Sequence, residues 1–242
     1  MATSLNFINQ IKHRPWEMPN KNWQFYQEWN DVLFLHFEVD FKELKALIPR
    51  DLTLDTFNYK HYVSVVIFKM EKIRPANLPS IRLISDFYEI NVHTYVKKGD
   101  KKGIYFINIE ANKKLSALIA KTLSGLPYEK SEIIREPNAY ININHKKDYY
   151  LDVSFKVGEK INFKSELDVW FTERYCLYLH KNDKLHRYDI HHTEWNVYQV
   201  NLLKIDIQYH INSLEIENYK LAHFHYSPGV QVISWEAEYL KE

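Results

Sequence analysis

Residues 86–128 constrain the fold most, because they predict two antiparallel strands followed by a helix. Apolar and polar residues alternate over 87–96, as expected for a strand with two different faces. The charged connection that follows contains Gly99 and Gly103, which tolerate the positive φ angles of many hairpin turns. A second strand over 104–110 is therefore expected to return antiparallel.

The segment after this hairpin is predicted to be a helix that packs on the sheet. Asn112 is of a residue type that caps helix N termini, and Gly125 with Pro127 is a typical stop signal. Apolar side chains recur between these signals at helical spacing, at Leu115, Leu118, Ile119 and Leu123. This apolar stripe is expected to lie against the sheet.

The rest of the chain is predicted to be mostly strand, with one short helix capped by Asp40 and an irregular loop over 74–82. The predicted strands are 24–39, 52–57, 61–70, 131–143, 149–157, 167–180, 195–207, 219–226 and 230–239. A chain so rich in strands must protect its sheet edges, and closure into a barrel is the usual solution. We therefore predict a mainly β fold with a few helices, closed into a barrel or cone, as a single domain over 1–242.

Composition excludes several classes of partner. Lys and Arg number 32 against 31 Asp and Glu, so a net charge of +1 gives no electrostatic support for nucleic acid or an anionic membrane. No apolar segment reaches the length of a bilayer span, and the first residues show no continuous apolar stretch, so no export signal is expected. Cys176 is the single cysteine, which fits a reducing compartment. A cytoplasmic location is the expectation.

Several segments together resemble the YqjF-like family of uncharacterised bacterial proteins. They are EWNDVLFLHFEV, LIPRDLTLDTF, FYEINVHTYV, GIYF, GLPY and FTERYCLY, with a His-His pair near a tryptophan. That family is similar in turn to acetoacetate decarboxylase. The resemblance implies a closed, cone-like β-barrel with a few helices packed on it and a ligand site inside the cone.

The resemblance to the decarboxylase does not extend to its catalytic residues. Tyr128 occupies the position of the Schiff-base lysine, Glu129 follows it, and Gln27 occupies an arginine position. One of two glutamate positions falls near Val66, and Glu89 matches the other. The resemblance therefore implies that no imine forms at this position. The lysines considered as displaced nucleophiles are Lys113, Lys114, Lys121 and Lys130.

The polar face of the strand over 87–96 is the main candidate site. Glu89 is the candidate catalytic residue, and Asn91, His93 and Tyr95 share its face as candidate ligand-binding residues. Tyr128 and Arg74 are further candidate ligand-binding residues. If the face lines the cone, these side chains surround one small molecule; if it faces solvent, they are merely polar. A buried Glu89 requires a partner, for which His93 and Arg74 are the candidates.

Glu173 is a second acidic residue in an otherwise apolar pattern of the strand predicted over 167–180. It is assigned either to the ligand site or to a structural ion pair with Arg74 or Arg82, unless a bulge turns it to solvent.

The late histidines raise the question of a metal. His223 and His225 share one face of a predicted strand, as in some metal sites, but no third ligand stands at a defined spacing. The sequence therefore predicts no metal, and it indicates no cofactor.

Three function classes follow. The first is a small-molecule-binding protein whose ligand is not identified by the sequence. The second is an enzyme of lyase, isomerase or hydrolase type, in which Glu89 is the general acid or base on a keto or enol substrate and Tyr95 or Tyr128 donates to the oxyanion. The third is a structural domain whose cone is filled by its own side chains. Exposed strand edges also suggest a homodimer.

Overall fold

A computed structural model describes residues 6–113, 125–181 and 184–240. Strands dominate these residues, and all fifteen belong to one sheet. In chain order they are β1 Phe25–Val39, β2 Thr53–Leu54, β3 His61–Pro75, β4 Phe87–Lys98, β5 Lys101–Ala111, β6 Tyr128–Lys130, β7 Glu132–Glu136, β8 Ala139–Asn144, β9 Tyr149–Lys160, β10 Cys176–Lys181, β11 Lys184–His191, β12 Tyr198–Ile211, β13 Leu214–Glu217, β14 Leu221–Ser234 and β15 Glu238–Tyr239.

Helices in the described residues are short. They are α1 Phe41–Lys45, α2 Arg82–Ser85 and α3 Glu166–Thr172, with 3₁₀ turns at Asn6–Asn9 and Asn218–Lys220. Asp40 caps α1 as predicted, because its carboxylate accepts a hydrogen bond from the Lys42 amide at 2.7 Å. None of these helices combines the length and apolar character required to cross a membrane.

The sheet curls into a ring of strands. Its neighbours follow the order β11-β10-β5-β4-β3-β1-β14, and pairing of β14 with β11 through Ile190 and Ser234 joins the two ends. Strands β12, β9, β8 and β7 continue the sheet beyond β14. The prediction of a mainly β fold with a ring of strands is confirmed.

Strand alternation builds two separate apolar clusters on the two faces of the ring. In β3, Val63, Val65 and Ile67 pack in one cluster with residues of β8, β9 and β12. Val66 and Phe68 point the other way and pack in a second cluster inside the ring. Because both faces of β3 are covered, almost every residue from Tyr62 to Met70 is buried. The interior cluster surrounds the candidate site.

The predicted hairpin is confirmed as β4 and β5, which pair antiparallel with a bulge between Val92 and His93. Gly99 adopts a φ of 58°, the left-handed conformation expected in the turn. Gly103 serves a different purpose, because a Cβ atom there would lie 2.5 Å from the Cys176 carbonyl oxygen. The helix predicted after Asn112 lies outside the described residues.

The strand predicted over 167–180 is wrong in its first half. Residues there form α3, and the strand begins only at Cys176. The helix starts with a capping box, in which the Ser165 hydroxyl accepts from the Asp168 amide and the Asp168 carboxylate accepts from the Ser165 amide. Apolar residues alternate here as in a strand, but the helix buries Phe171 and leaves Val169 exposed, so the capping box is the more reliable local signal.

Candidate functional site

A cavity of about 120 Å³ lies inside the ring, and most of its wall is apolar. The apolar wall comes from strands on several sides and from α3, through Trp29, Val32, Phe34, Val66, Phe68, Met70, Ile104, Phe106, Leu126, Phe171, Leu177, Ile190 and Trp195. Polar side chains interrupt this wall mainly along β4, at Glu89, Asn91 and His93. The polar face predicted for this strand therefore lines the interior and not the solvent.

Glu89 is the buried acid of the cavity, with a residue exposure of 3%. The Tyr128 hydroxyl donates a hydrogen bond to Glu89 Oε2 at 2.8 Å. Burial raises the pKa of Glu89 to about 7, although the hydrogen bond from Tyr128 and the Asn91 amide both favour the charged form. Near neutral pH this carboxyl group therefore exists in both protonation states.

His93 is neutral and has a defined tautomer. Its Nδ1 lies 2.8 Å from Asn91 Oδ1, and because an amide oxygen only accepts, the proton is on Nδ1 and Nε2 keeps a lone pair. Burial and the positive charge of Arg174 lower the pKa of His93 to about 3. The buried acid is therefore not paired with a charged histidine, contrary to the partnership expected from the sequence.

Arg174, in the segment FTERYCLY, also lines the cavity. Its Nη1 donates to Asp55 Oδ2 at 2.7 Å, its Nε donates to the Trp170 carbonyl oxygen at 2.8 Å, and its guanidinium lies 4.9 Å from the Tyr95 ring centroid. Its Nη2 is buried and has no hydrogen-bond partner among the described residues. Arg174 is thus held rigidly with one donor unpaired.

Trp29 presents a second unpaired donor in the cavity wall. Its Nε1 is buried and also lacks a partner among the described residues. A ligand carrying oxygen atoms satisfies such donors, whereas a purely apolar ligand leaves them unpaired at a cost of about 1–3 kcal/mol each.

Three predicted site residues lie outside the cavity, Tyr95, Arg74 and Glu173. Tyr95 is fully buried, but its hydroxyl lies 2.5 Å from Ser64 Oγ, in a cluster of histidines outside the cavity. Arg74 lies with its guanidinium 4.6 Å from the Tyr26 ring centroid and donates to the Ala76 carbonyl oxygen. Arg74 therefore is not the partner of Glu89, and the cation of the cavity is Arg174.

Glu173 forms a structural ion pair outside the cavity. It accepts a hydrogen bond from Lys164 at 2.6 Å, from the Trp195 amide at 3.1 Å and from the Tyr175 hydroxyl. Burial opposes its ionisation, but His192 and Lys164 outweigh this effect and lower the pKa of Glu173. The partner predicted from the sequence, Arg74 or Arg82, was wrong.

The lysines considered as displaced nucleophiles do not appear in the described cavity wall. Lys113 reaches the Leu83 carbonyl oxygen at 3.3 Å, and Lys130 is exposed at the end of β6. Lys114 and Lys121 lie outside the described residues. Gln27 lines the cavity.

This geometry supports proton transfer and oxygen recognition. Glu89 accepts or donates a proton near neutral pH, His93 Nε2 accepts one hydrogen bond, and Tyr128 orients the carboxyl group. In the described residues, one group of three metal-ligating side chains is found, Asp168 with His223 and His225, and none of the three lines the cavity.

Comparison with known sequences places this architecture in a family. The family model DUF2071, described as an uncharacterized conserved protein, matches residues 26–231. The uncharacterized protein YqjF of Bacillus subtilis strain 168 is 37% identical over 185 residues, which cover 74% of this chain and 76% of YqjF.

Comparison with solved structures finds the acetoacetate decarboxylase fold. Acetoacetate decarboxylase from Legionella pneumophila superposes with a TM-score of 0.58 at 13% identity, covering 100% of this chain and 98% of its own. The enduracididine biosynthesis enzyme MppR with HEPES bound gives a TM-score of 0.62 at 9% identity, over 93% of this chain and 89% of MppR. MppR complexed with pyruvate gives 0.57 at 8% identity, over 94% and 93%. The fold predicted from the resemblance is confirmed.

Proposed function

The chain belongs to the DUF2071 family, and we propose that its cavity binds a small carbonyl compound, with short keto acids as the leading class. The proposal rests on the polar side chains that line one side of the cavity. A cavity of about 120 Å³ with a mostly apolar wall has Glu89, Asn91 and His93 along one strand and Tyr128 hydrogen-bonded to Glu89. Apolar packing supplies most of the binding, and the polar side orients the ligand.

The volume limits the ligand to a compact molecule. An engineered protein cavity of roughly 150 Å³ accommodates benzene, so a cavity of about 120 Å³ suits a ligand of similar or smaller size. A short keto acid meets this limit and offers carbonyl and carboxyl oxygens. Those oxygens match the unpaired Arg174 Nη2 and Trp29 Nε1 donors of the wall.

Structural neighbours agree with this chemical class. Acetoacetate decarboxylase is named for a keto acid, and MppR was solved in complex with pyruvate. We infer that this chain handles its ligand without a Schiff base. Tyr128 occupies the lysine position implied by the resemblance, and its hydroxyl is engaged by Glu89.

Ligand binding is tested by thermal unfolding of the full chain with pyruvate, acetoacetate, acetone and toluene. We expect a keto acid to raise the wild-type Tm in a concentration-dependent manner, by mass action on the folded state. In Glu89→Gln the shift is expected to fall by at least half, because the amide neither titrates nor accepts from Tyr128 as a carboxylate does.

Glu129→Gln is the matched control. It makes the same substitution on the neighbouring residue of Tyr128, at a side chain that pairs with Lys147 and does not line the cavity. Its response should equal that of the wild type. If no compound shifts the wild type, or if Glu89→Gln responds like Glu129→Gln, the cavity is not the binding site and the structural interpretation gains support.

The pKa of Glu89, about 7, favours an enzyme as the second candidate function. A carboxylate with this pKa removes a proton from the carbon beside a carbonyl and returns it, with Tyr128 adjusting its basicity. Wild-type protein in D₂O at pH 7 should then exchange the methyl protons of pyruvate, followed by ¹H NMR, faster than Glu89→Gln does. Binding without exchange assigns the protein to the ligand-binding class.

A further inference from the structure

A second polar cluster lies outside the cavity, where α3 meets β14. His223 and His225 are two residues apart on β14, so both imidazoles project from one face of the strand. Each histidine places Nε2 at 2.7 Å from Oδ1 of Asp168 on α3. Two nitrogen atoms and one oxygen atom thus converge within 4.8 Å of one another.

The local backbone holds the Asp168 carboxylate in place. The Ser165 amide donates to Asp168 Oδ2 at 2.7 Å, within the capping box of α3. Because Oδ2 is occupied in this way, Oδ1 is directed towards the two histidines. The ligand oxygen is therefore positioned before any ion arrives.

His225 is oriented from its other side. Its Nδ1 lies 3.3 Å from His36 Nε2, and His36 Nδ1 lies 2.6 Å from Ser64 Oγ. The His36 ring stacks on Phe171 of α3 at 3.7 Å between centroids. Metal-binding histidines in proteins almost always have such a hydrogen-bond partner on the second nitrogen, which fixes the ring.

The cluster is buried on one side and reachable on the other. The His225 side chain is fully buried and that of Asp168 is 8% exposed, whereas that of His223 is 33% exposed. An ion therefore enters beside His223, and the same side leaves a coordination position for water.

We propose that Asp168, His223 and His225 bind one divalent transition-metal ion, with Zn²⁺ as the best match. Two imidazole nitrogens and one carboxylate oxygen form a three-ligand set that leaves the fourth tetrahedral position open. Magnesium and calcium prefer all-oxygen ligand sets, which this cluster does not supply. The bound ion cross-links α3 to β14 and so stabilises the fold.

Binding requires a small side-chain movement. Ligand atoms at tetrahedral Zn²⁺ are about 3.3 Å apart, so both nitrogens must move away from Asp168 Oδ1 by roughly half an ångström. The partly exposed His223 has room for this movement. Because the ion takes the lone pair of Nε2, each neutral imidazole changes tautomer and carries its single proton on Nδ1. His225 Nδ1 then donates to His36 Nε2, and His36 keeps its own proton on Nδ1, towards Ser64 Oγ.

Titration of the full chain, first treated with a chelator, tests the site with Co²⁺ and Zn²⁺. We expect one ion per chain, a tetrahedral Co²⁺ absorption band that Zn²⁺ abolishes, and a Zn²⁺-dependent rise in Tm. His223→Gln should weaken Co²⁺ binding at least tenfold while keeping the native circular dichroism, because its side chain is partly exposed.

His210→Gln is the matched control, since His210 is an exposed strand histidine 3.9 Å from a single carboxylate, Glu215. It should bind Co²⁺ like the wild type. In the wild type alone, ¹⁵N NMR of the imidazoles should show the Nε2 signals of two histidines changing together with Zn²⁺. Absence of the Co²⁺ band, or equal binding by His223→Gln and His210→Gln, would show that the cluster is only a hydrogen-bond network.

Discussion

Glu89 and Glu110 are both buried glutamates of the β4–β5 hairpin, but they lie on opposite faces of the sheet. Glu89 faces the interior cavity, while Glu110 faces the cluster that includes β8 and β12. Burial raises the pKa of both carboxyl groups. The two faces differ in the number of hydrogen-bond donors that they provide to the carboxyl group.

Glu110 is surrounded by hydrogen-bond donors. Asn144 Nδ2 donates to it at 2.7 Å, the Tyr209 hydroxyl at 2.7 Å and Asn142 Nδ2 at 3.2 Å. Glu89 has fewer donors, the Tyr128 hydroxyl at 2.8 Å and the Asn91 amide, and an open volume beside it. The carboxyl group of Glu110, whose acceptor sites are occupied, links neighbouring strands. The carboxyl group of Glu89 has acceptor sites to spare and is available to a ligand.

The largest effect that separates the two sites is expected from Glu110→Ala. Removing this carboxylate takes the acceptor from three buried donors, of which Asn142 Nδ2 keeps the Tyr209 hydroxyl as a partner, so we expect the free energy of unfolding to fall by about 3–5 kcal/mol. Urea denaturation measures it. Glu89→Ala removes the acceptor of the Tyr128 hydroxyl and the Asn91 amide beside an open cavity, and should cost about 1–2 kcal/mol. Equal costs would remove the distinction between a structural and a functional acid.

The second-largest effect is expected in the pH dependence of the free energy of unfolding, through the ionisation of Glu89. Its pKa rises from an ordinary 4.5 to about 7 on folding, so the folded state binds the proton more tightly than the unfolded state. The resulting stabilisation is fully present below pH 4.5 and is lost as pH rises through 7, by up to about 3 kcal/mol.

Denaturation of wild type and Glu89→Gln between pH 4 and 8 isolates this contribution, since every other titrating group is common to both. The difference between the two unfolding free energies should change in favour of the variant as pH rises. A difference that is independent of pH would show that Glu89 titrates at its ordinary value.

The smallest effect is expected from removing one tyrosine hydroxyl that donates a hydrogen bond to either glutamate. Tyr128→Phe removes the hydroxyl donor to Glu89 and leaves the Asn91 amide, so the pKa of Glu89 should rise by about one unit, because the charged form loses about 1–2 kcal/mol. Infrared absorption of the protonated carboxyl group measures this change. Tyr209→Phe leaves Glu110 with both asparagines, so the pKa of Glu110 should respond less. A larger response at Glu110 would contradict the donor counts.

The sequence is informative where a signal is local and periodic. Alternation along β4 put Glu89, Asn91 and His93 on one face, and these three do line the cavity. Alternation gives no information on how far along a strand a cavity extends, so Tyr95 was included although its hydroxyl contacts Ser64.

Other features depended on long-range contacts. Arg174 reaches Asp55 across 119 positions of the chain, and Asp168 reaches His223 across 55, so no spacing rule connects either pair. One local signal was available and missed: Ser165 and Asp168 have the spacing of a capping box, which predicts a helix start where a strand was expected.

By itself, the sequence determined the strand-rich composition, the hairpin and the polar face of β4, because periodicity decides which side chains share a face. The resemblance added the barrel and the position of Tyr128. Only the tertiary structure decided that Glu89 borders a cavity while Glu110 is fully paired. The physical reason is that the pKa and the unpaired capacity of a carboxyl group depend on donors and volume supplied by distant strands.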